Sequence, residues 1–328
     1  MNLRDHLTIF TPTVFERHKY LVRLFTYNKR FDCRKVVIDS GPVYFQEERN
    51  FPDIEYHHKP DIGVYEKLHL ALELAETEYI LFISDDDFAI LPGVLRATKF
   101  LLDNPGYCMA NGQQLRFTEE EGVFSNNYGH NQLNELVFRN LKTSDCTERL
   151  SHFFEHFYAP NYAVVRSEVY KEALKFVLSN NILSPVRFWD KVLAFIIAMN
   201  GNFKYLPILL GARSSGERLI DTNPELLIER DVYFDDIFSR LEEKNNPFVK
   251  YLSQKTGISS KEADNAISYA FNSFIQSKKK KQKHEAGNLI LRILKKMRGF
   301  KHISSFENHP EYKKHVDDIR KLVIEAVH

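Results

Sequence analysis

The sequence has few cysteines, no long apolar run and almost no net charge. Its 328 residues include only three cysteines, at widely spaced positions: Cys33, Cys108 and Cys146. They form no metal-binding pattern and indicate reduced thiols in a cytoplasm. The longest apolar run, residues 192–199, is too short to cross a bilayer. The first six residues include Arg4 and Asp5 and lack the apolar core of a signal peptide, so we expect a cytoplasmic protein.

The net charge of +1 provides no overall field that would attract nucleic acid. The charge is uneven, however: residues 278–301 hold ten Lys and Arg against one Glu, a local charge of +9, which leaves −8 for the rest. The hydrophobic content of 43% is ample for one large domain and a smaller one.

Residues 79–88 combine a buried-strand pattern with three consecutive carboxylates. The five apolar residues at 79–83 fit a strand that is buried on both faces of a parallel sheet. Asp85, Asp86 and Asp87 follow, and we expect them where the strand leaves the sheet, because burying unpaired charge is too costly. Ligands of open α/β sheets bind at that edge, and clustered carboxylates suit Mg²⁺ or Mn²⁺. A solvated acidic turn or a helix cap is the alternative interpretation of the triplet alone.

Alternating strands and helices surround this stretch. We expect strands at 7–11, 35–38, 54–58 and 79–83, the first broken by Pro12, and helices at 17–28 and 63–77. This alternation is typical of a parallel sheet built from βαβ units. Polar residues follow three of the strands, so one sheet edge would collect three polar loops, which is the geometry of a nucleotide site.

The order of these segments resembles the nucleotide-binding half of GT-A glycosyltransferases, specifically the family-2-like group that carries a DxD motif. The resemblance rests on LTIFTPTVFERHKYLVRLF, KVVIDSG and DIGVYEKLHLALELAETEYILFISDDDFAILPGVL. In that family a first strand ends in a Pro-Thr loop and a second ends in Asp. A helix then precedes a strand that ends in DxD. The resemblance covers the first third of the chain and continues loosely to Glu217. It implies an α/β fold with a Rossmann-like, mostly parallel sheet flanked by helices.

The resemblance also implies roles for individual residues. Asp39 matches the acid that accepts a hydrogen bond from the base, such as a uracil N–H. Lys67 falls near the expected diphosphate, although its position equally fits an exposed helix lysine. Four residues match the loop that lies along the nucleotide: Thr11, Pro12, Thr13 and Arg17.

The acidic triplet departs from the family pattern Asp-x-Asp-Asp, because Ser84 holds the first position. We assign Asp87 to a Mn²⁺ or Mg²⁺ ion and Asp85 to the ribose or to the metal and its water. Asp86 is kept as the alternative ligand and as part of the nucleotide site.

The second half of the chain offers a general base and a further cation. Asp190 resembles the Asp of the family's Glu-Asp pair, the base of inverting enzymes, but Trp189 replaces the Glu. As an alternative, Asp190 merely favours a helix N-terminus through the dipole. Arg213 is the candidate diphosphate contact, in a loop where relatives often carry His.

A literal H-x-x-E-H occurs at His152, Glu155 and His156, on an expected helix. Two His four residues apart share a helix face and fit zinc, with the Glu as base. The alternative, which we favour because no third ligand has a recognisable context, is an amphipathic helix with polar residues beside packed phenylalanines.

We divide the chain into a catalytic domain, residues 1–218, and a helical C-terminal extension, residues 219–328. The catalytic domain comprises a nucleotide half, 1–105, and an acceptor half, 106–218. The extension contains the basic segment 278–301. An apolar stripe there is compatible with binding to an anionic membrane or with packing on the core: Ile290, Ile293, Leu294 and Met297.

These observations predict a metal-dependent, inverting glycosyltransferase that acts in surface polysaccharide or glycolipid synthesis. The expected donor is a nucleotide sugar, with UDP favoured, and the acceptor a glycan or a lipid-linked sugar. The alternatives are a nucleotidyltransferase on a related fold and a non-catalytic sugar- or membrane-binding protein. We expect no nucleic-acid partner and a cytoplasmic location, on the inner face of the membrane if the basic segment binds lipid.

Overall fold

One mixed β-sheet organises the molecule. The computed structural model describes residues 2–118, 124–125, 140–157, 159–180, 189–214, 246–287 and 309–325, with backbone only for 124–125 and 278–287. Within these residues nine strands form a single sheet. They are β1 (Leu7–Thr13), β2 (Arg34–Asp39), β3 (Glu55–His58), β4 (Tyr79–Phe82), β5 (Phe88–Ala89), β6 (Tyr107–Phe117), β7 (Phe124–Ser125), β8 (Val164–Arg166) and β9 (Asn202–Ser214).

The strand order is β3-β2-β1-β4-β8-β6-β9-β5, with β7 paired to β6. The first four strands are parallel neighbours, as the βαβ pattern predicts. Strand β8 is antiparallel to both β4 and β6, and β9 is parallel to β6. The carboxyl ends of β1, β2 and β4 therefore meet at one edge of the sheet.

The helices cover both faces of the sheet. They are α1 (His18–Asn28), α2 (Val64–Leu74), α3 (Leu91–Asp103), α4 (Cys146–Glu155), α5 (Ser167–Ser179), α6 (Trp189–Asn200), α7 (Pro247–Thr256), α8 (Ser260–Gly287) and α9 (Pro310–Glu325). Successive side chains of a strand point to opposite faces. Accordingly Val36 and Ile38 belong to one hydrophobic core, with α2 and α4 to α8, whereas Val37 belongs to the other, with α1, α3 and α9.

Strand β1 continues through Pro12, so the expected break at this residue is wrong. Beyond Phe10, β1 is no longer paired with β4 and keeps only β2 as a neighbour, with Pro12 beside Ile38. A proline is tolerated here because it lacks only the N–H, and no strand on the β4 side requires that donor. The extension carries Thr13 to the sheet edge.

The C-terminal helices are packed into the same two cores as the sheet. Phe248 and Phe271 belong to the core of α4 and α6, and Ile319 belongs to the core of α1 and α3. The domain boundary between residues 218 and 219 lies outside the described residues, as does the stripe from Ile290 to Met297. In the part of the chain that the structure describes, no helix combines the length and the apolar character needed to cross a membrane.

Candidate active site

Asp39, the last residue of β2, is fully buried and bound from three directions. Its Oδ1 accepts a hydrogen bond from the Gly41 N–H at 2.8 Å. Its Oδ2 accepts one from the Tyr56 hydroxyl and lies 2.6 Å from His18 Nε2. A Cβ at Gly41 would lie 2.6 Å from the Phe15 backbone nitrogen, so only glycine allows this turn to approach the loop after β1. The carboxylate is thus held in one orientation at the sheet edge.

Asp85 joins the end of β4 to the end of β1. Its Oδ2 accepts a hydrogen bond from Thr13 Oγ1 at 2.7 Å, and its Oδ1 accepts one from Arg17 Nε at 2.6 Å. The same guanidinium lies 2.7 Å from Asp86 Oδ1. Burial raises the pKa of Asp85 to about 6, against the opposing effects of the Arg17 charge and the Thr13 hydrogen bond. The loop after β1 and the acidic turn therefore form one hydrogen-bonded unit.

Asp87 is bound on the opposite side of the triplet. Its Oδ1 accepts a hydrogen bond from the Ser214 N–H at 2.7 Å, and Arg213 Nε lies 3.6 Å from its Oδ2. The Tyr162 hydroxyl also bonds to it, and the Arg213 guanidinium lies 4.2 Å from the centre of the Tyr162 ring. Burial, and next the neighbouring Asp86, raise the pKa of Asp87 to about 7. Two arginines that are distant in the sequence, Arg17 and Arg213, thus contact the acidic triplet.

Lys67 is buried, with 6% of its surface exposed, so the interpretation as an exposed helix lysine is wrong. Its Nζ donates to the Thr13 carbonyl oxygen at 2.7 Å. Burial lowers the pKa of Lys67, while the charges of Asp39 and Asp85 oppose that effect. This ammonium group is therefore within the electrostatic reach of both Asp39, which ends β2, and Asp85, which follows β4.

Asp190 is the second residue of α6 and is 15% exposed. Lys191 Nζ lies 2.7 Å from its Oδ1. Burial and the Asp190 charge raise the pKa of Tyr65 to about 12, which places the Tyr65 hydroxyl within the electrostatic reach of this carboxylate. Tyr65 and Lys67 both belong to α2, so this helix contributes one side chain to the surroundings of Asp190 and another to those of Asp39 and Asp85.

The two histidines of the H-x-x-E-H motif pack against neighbouring rings. The His152 ring stacks on Phe203, 6.3 Å between centroids, and lies 4.8 Å from the His156 ring. Glu155 is exposed. Across the described residues, no group of three or more His, Cys, Asp or Glu is arranged to hold a metal ion. The motif therefore has no described third ligand.

Thr11, Pro12 and Thr13 all lie in β1, and Arg17 ends the short 3₁₀ turn that follows.

Three residues of the site could not be identified from the sequence. His18 and Tyr56 contact Asp39, and Tyr162 contacts Asp87. Tyr162 has φ +70°, a left-handed conformation that is unusual for a bulky side chain and is typical of functional sites. The sequence placed these residues near segments that were already assigned to the site. A single sequence does not show which tyrosine or histidine contacts a given carboxylate.

Comparison with known proteins gives a structural match only. No protein-family model and no curated protein matches the sequence. The crystal structure of S. aureus TarS 1–349 matches with a TM-score of 0.51 and 14% identity, over 98% of this chain and 82% of that one. Two further crystal structures of the fragment match with TM-scores of 0.46. The complex with UDP-GlcNAc has 12% identity over 85% of this chain and 92% of that one. The complex with UDP has 15% identity over 98% and 91%. At such identities the likeness defines the fold alone: the chain has a GT-A fold.

Proposed function

We propose that the protein transfers a sugar from a nucleoside diphosphate sugar to a hydroxyl group of an acceptor. The observation that carries the proposal is the convergence of Thr13, Asp39 and Asp85 at the carboxyl ends of three parallel strands. The Lys67 ammonium donates to the Thr13 carbonyl oxygen and is within the electrostatic reach of both carboxylates. Ligands of open α/β sheets bind at this edge. The site combines carboxylate oxygens, which accept hydrogen bonds, with positively charged side chains. This combination suits a ligand that has a polar base at one end and a diphosphate at the other.

Asp39 receives the base. Each carboxylate oxygen can accept two hydrogen bonds, and Oδ1 has only the Gly41 N–H as a described partner. An imide N–H, as in uracil, fits that second position. TarS, whose fold this chain shares, has been crystallised with UDP-GlcNAc and with UDP. A UDP-sugar is therefore the first donor to test.

Arg17, Lys67 and Arg213 provide positive charge for the diphosphate. Arg17 and Arg213 are partly exposed, at 16% and 31%, so their guanidinium groups are accessible to a ligand. Guanidinium groups bind phosphate oxygens in pairs, with charge-assisted hydrogen bonds. These cations would stabilise the negative charge that develops on the leaving diphosphate.

The carboxylate oxygens of the acidic turn are ligands of the type that suits a hard divalent cation, Mn²⁺ or Mg²⁺, but within the described residues the three side chains are not arranged as a group that holds a metal ion by itself. Carboxylate oxygens are the ligands that these ions prefer, together with substrate phosphates. Asp85 and Asp87 are the proposed ligands, but most of their oxygens already accept hydrogen bonds. Asp86 is the most exposed of the three, at 22%, and remains the alternative. When bound, the cation would supply Lewis-acid stabilisation of the leaving diphosphate.

Asp190 acts as the general base. It accepts the proton of the acceptor hydroxyl while that oxygen attacks the anomeric carbon, so the configuration inverts. Asp190 is largely buried, its carboxylate pairs with the adjacent Lys191 ammonium, and its charge acts on Tyr65 of α2. The acceptor is a glycan or a lipid-linked sugar of surface polysaccharide or glycolipid synthesis.

The basic segment 278–301 allows a second interaction, with an anionic membrane surface. Each basic residue near such a surface contributes about 1 kcal/mol, reduced by salt. Replacing Lys278–Lys281 and Lys283 with Ser should abolish binding to anionic vesicles at low salt. Salt-independent binding of that variant would contradict a membrane role. Truncating the chain after Gln276 is a poorer test, because it also removes α9 and its share of the core.

A thermal-shift screen of nucleotide sugars with and without Mn²⁺ tests the donor assignment. A ligand that binds only the native state raises the melting temperature in a concentration-dependent manner. We expect UDP-sugars to do so, and to be hydrolysed or transferred slowly. A nucleoside triphosphate that stabilises the protein while UDP-sugars do not would favour the nucleotidyltransferase. Binding without any turnover would favour a non-catalytic sugar-binding protein.

A further inference from the structure

A buried arginine of α1 contacts the main chain of the acidic turn. Arg23 is only 4% exposed, although it carries a positive charge. Its guanidinium carbon lies 4.6 Å from the ring centre of Tyr20, 5.7 Å from that of Phe88 and 5.9 Å from that of Phe117. Arginine is rarely buried to this extent unless other groups pair with its charge. The guanidinium group must therefore make contacts that compensate for its removal from water.

One of these contacts is a hydrogen bond to the peptide that joins Asp86 to Asp87. Arg23 Nη2 donates to the main-chain carbonyl oxygen of Asp86 at 3.3 Å. The turn is also closed from within, because the Asp87 N–H donates to the Ser84 carbonyl oxygen at 3.1 Å. The orientation of this peptide sets the directions in which the Asp86 and Asp87 side chains leave the main chain. Arg23 therefore restrains the geometry of the acidic turn from the side of α1.

Tyr20 connects Arg23 with Arg17, the residue that precedes α1. The Tyr20 ring centre lies 5.2 Å from the guanidinium carbon of Arg17 and 4.6 Å from that of Arg23. A cation within about 6 Å of a ring centre is attracted to the face of the ring. Arg17 in turn binds the carboxylates of Asp85 and Asp86. The same tyrosine ring therefore supports both arginines that contact the acidic turn from this helix.

We infer that Tyr20 and Arg23 are positioning residues for the proposed diphosphate site. This inference rests on the proposed function and concerns residues that act on the donor through Arg17 and the acidic turn. Arg23 holds the main chain of the turn, and Tyr20 holds the Arg17 guanidinium beside the Asp85 and Asp86 carboxylates. A side chain that is already ordered loses less conformational freedom when a ligand binds, so Arg17 binds the diphosphate more tightly.

Core packing alone does not account for an arginine at position 23. An apolar side chain would fill the space beside Phe88 and Phe117 without taking a charge out of water, and replacing buried ions by apolar residues is often neutral or stabilising. Arginine adds a donor for the Asp86 carbonyl oxygen and a cation for the Tyr20 ring. Both contacts act on the acidic turn or on the support of Arg17.

Calorimetric titration with UDP tests the positioning role, with melting temperatures to verify that each variant is folded. Arg23→Met keeps the approximate length of the side chain and removes both contacts, so the UDP dissociation constant should rise about threefold to tenfold. Arg4→Met, at an exposed arginine before β1, is the matched control and should bind UDP normally. Tyr20→Leu removes the support of Arg17 at a partly exposed position and should weaken UDP binding by a similar factor. Tyr20→Phe keeps the ring and should restore the affinity.

The double variant Arg17→Met/Tyr20→Leu separates positioning from a general loss of stability. If Tyr20 acts through Arg17, the double variant should bind UDP as weakly as Arg17→Met alone, whereas independent effects would add. Additive losses would overturn the inference, and so would unchanged UDP affinity in Tyr20→Leu or in an Arg23→Met variant that melts like the wild type. A wild type that does not bind UDP would instead refute the proposed donor site, together with any role of Tyr20 and Arg23 in it.

Discussion

The Lys67 ammonium donates a hydrogen bond to the main-chain carbonyl oxygen of Thr13 at 2.7 Å, which ties α2 to the end of β1. The contact is buried, and the charges of Asp39 and Asp85 act on the same ammonium group. The lysine thus adds positive charge near two carboxylates that follow different strands, and each of them also has its own nitrogen partner, Arg17 for Asp85 and His18 for Asp39. It also explains why a charged residue is tolerated on the inner face of an otherwise apolar helix.

Lys67→Met should weaken nucleotide binding. The substitution keeps the approximate length of the side chain and removes the positive charge near Asp39 and Asp85. UDP affinity should therefore fall about tenfold or more, which is the effect of losing one charge-assisted hydrogen bond. Calorimetric titration with UDP measures it. The control is Lys99→Met at an exposed lysine of α3, which should bind UDP normally. Unchanged affinity in Lys67→Met would show that the lysine serves only to hold α2.

Removal of divalent cations should suppress transfer, and Mn²⁺ or Mg²⁺ should restore it. Because the pKa of Asp87 is raised to about 7, protons compete with the cation below that pH, and the Mn²⁺ concentration for half-maximal activity should rise as the pH falls. Asp87→Ala should abolish the dependence together with the activity. Asp86→Asn tests the alternative ligand in the same assay of cation-dependent activity. Full activity in a chelator would show that the triplet acts without a metal.

Asp190→Asn should separate binding from chemistry. The amide preserves the shape and cannot accept the proton, so transfer should fall about 10²–10⁴-fold while UDP-sugar binding stays intact. The comparison is Asp264→Asn, at an exposed carboxylate of α8. Retained anomeric configuration in the product of the wild type would contradict the assigned base, and so would normal turnover in the variant.

Ile319→Ala should destabilise the whole fold. Ile319 of α9 is completely buried in the core shared with α1 and α3, and truncation of a buried Ile costs about 2–5 kcal/mol. Chemical denaturation measures the loss, and Ile324→Ala, at a 39% exposed position of the same helix, should cost far less. Equal, small effects of both would show that α9 is only loosely attached.

The attachment of α9 should weaken in acid through His315. Its Nδ1 lies 3.3 Å from the Tyr27 hydroxyl and 3.3 Å from the Arg30 guanidinium. Burial and the Arg30 charge lower the pKa of His315 below its usual value of 6.5. The unfolded chain therefore binds this proton more readily, and stability is lost as the pH falls from about 6.5 through the lowered pKa. Melting temperatures of the wild type and His315→Gln between pH 5 and pH 8 should converge at low pH. Parallel curves would exclude His315 as the cause.

Local sequence patterns were enough to predict the alternation of β1 to β4 with α1 and α2. Apolar periodicity expresses burial on one face of a helix or both faces of a strand, and this information is local. These patterns also predicted that Asp39 and the triplet end strands, because a run of carboxylates cannot remain inside an apolar sheet. The family resemblance then led to the GT-A fold, which the structural match with TarS supports.

Tertiary structure alone decided which groups meet. The burial of Lys67 depends on the carbonyl of Thr13, which lies 54 residues away, and the bond of Asp87 to Ser214 spans 127 residues. The partners of Asp39 in β3 and α1, and the contact of Tyr65 with Trp189, depend likewise on packing between distant segments. Local sequence patterns predict which face of each helix or strand is buried. Which charged groups share a buried space is settled only when the two cores close around the sheet, because the electrostatic energy of a buried ion depends on neighbours that the chain brings together from afar.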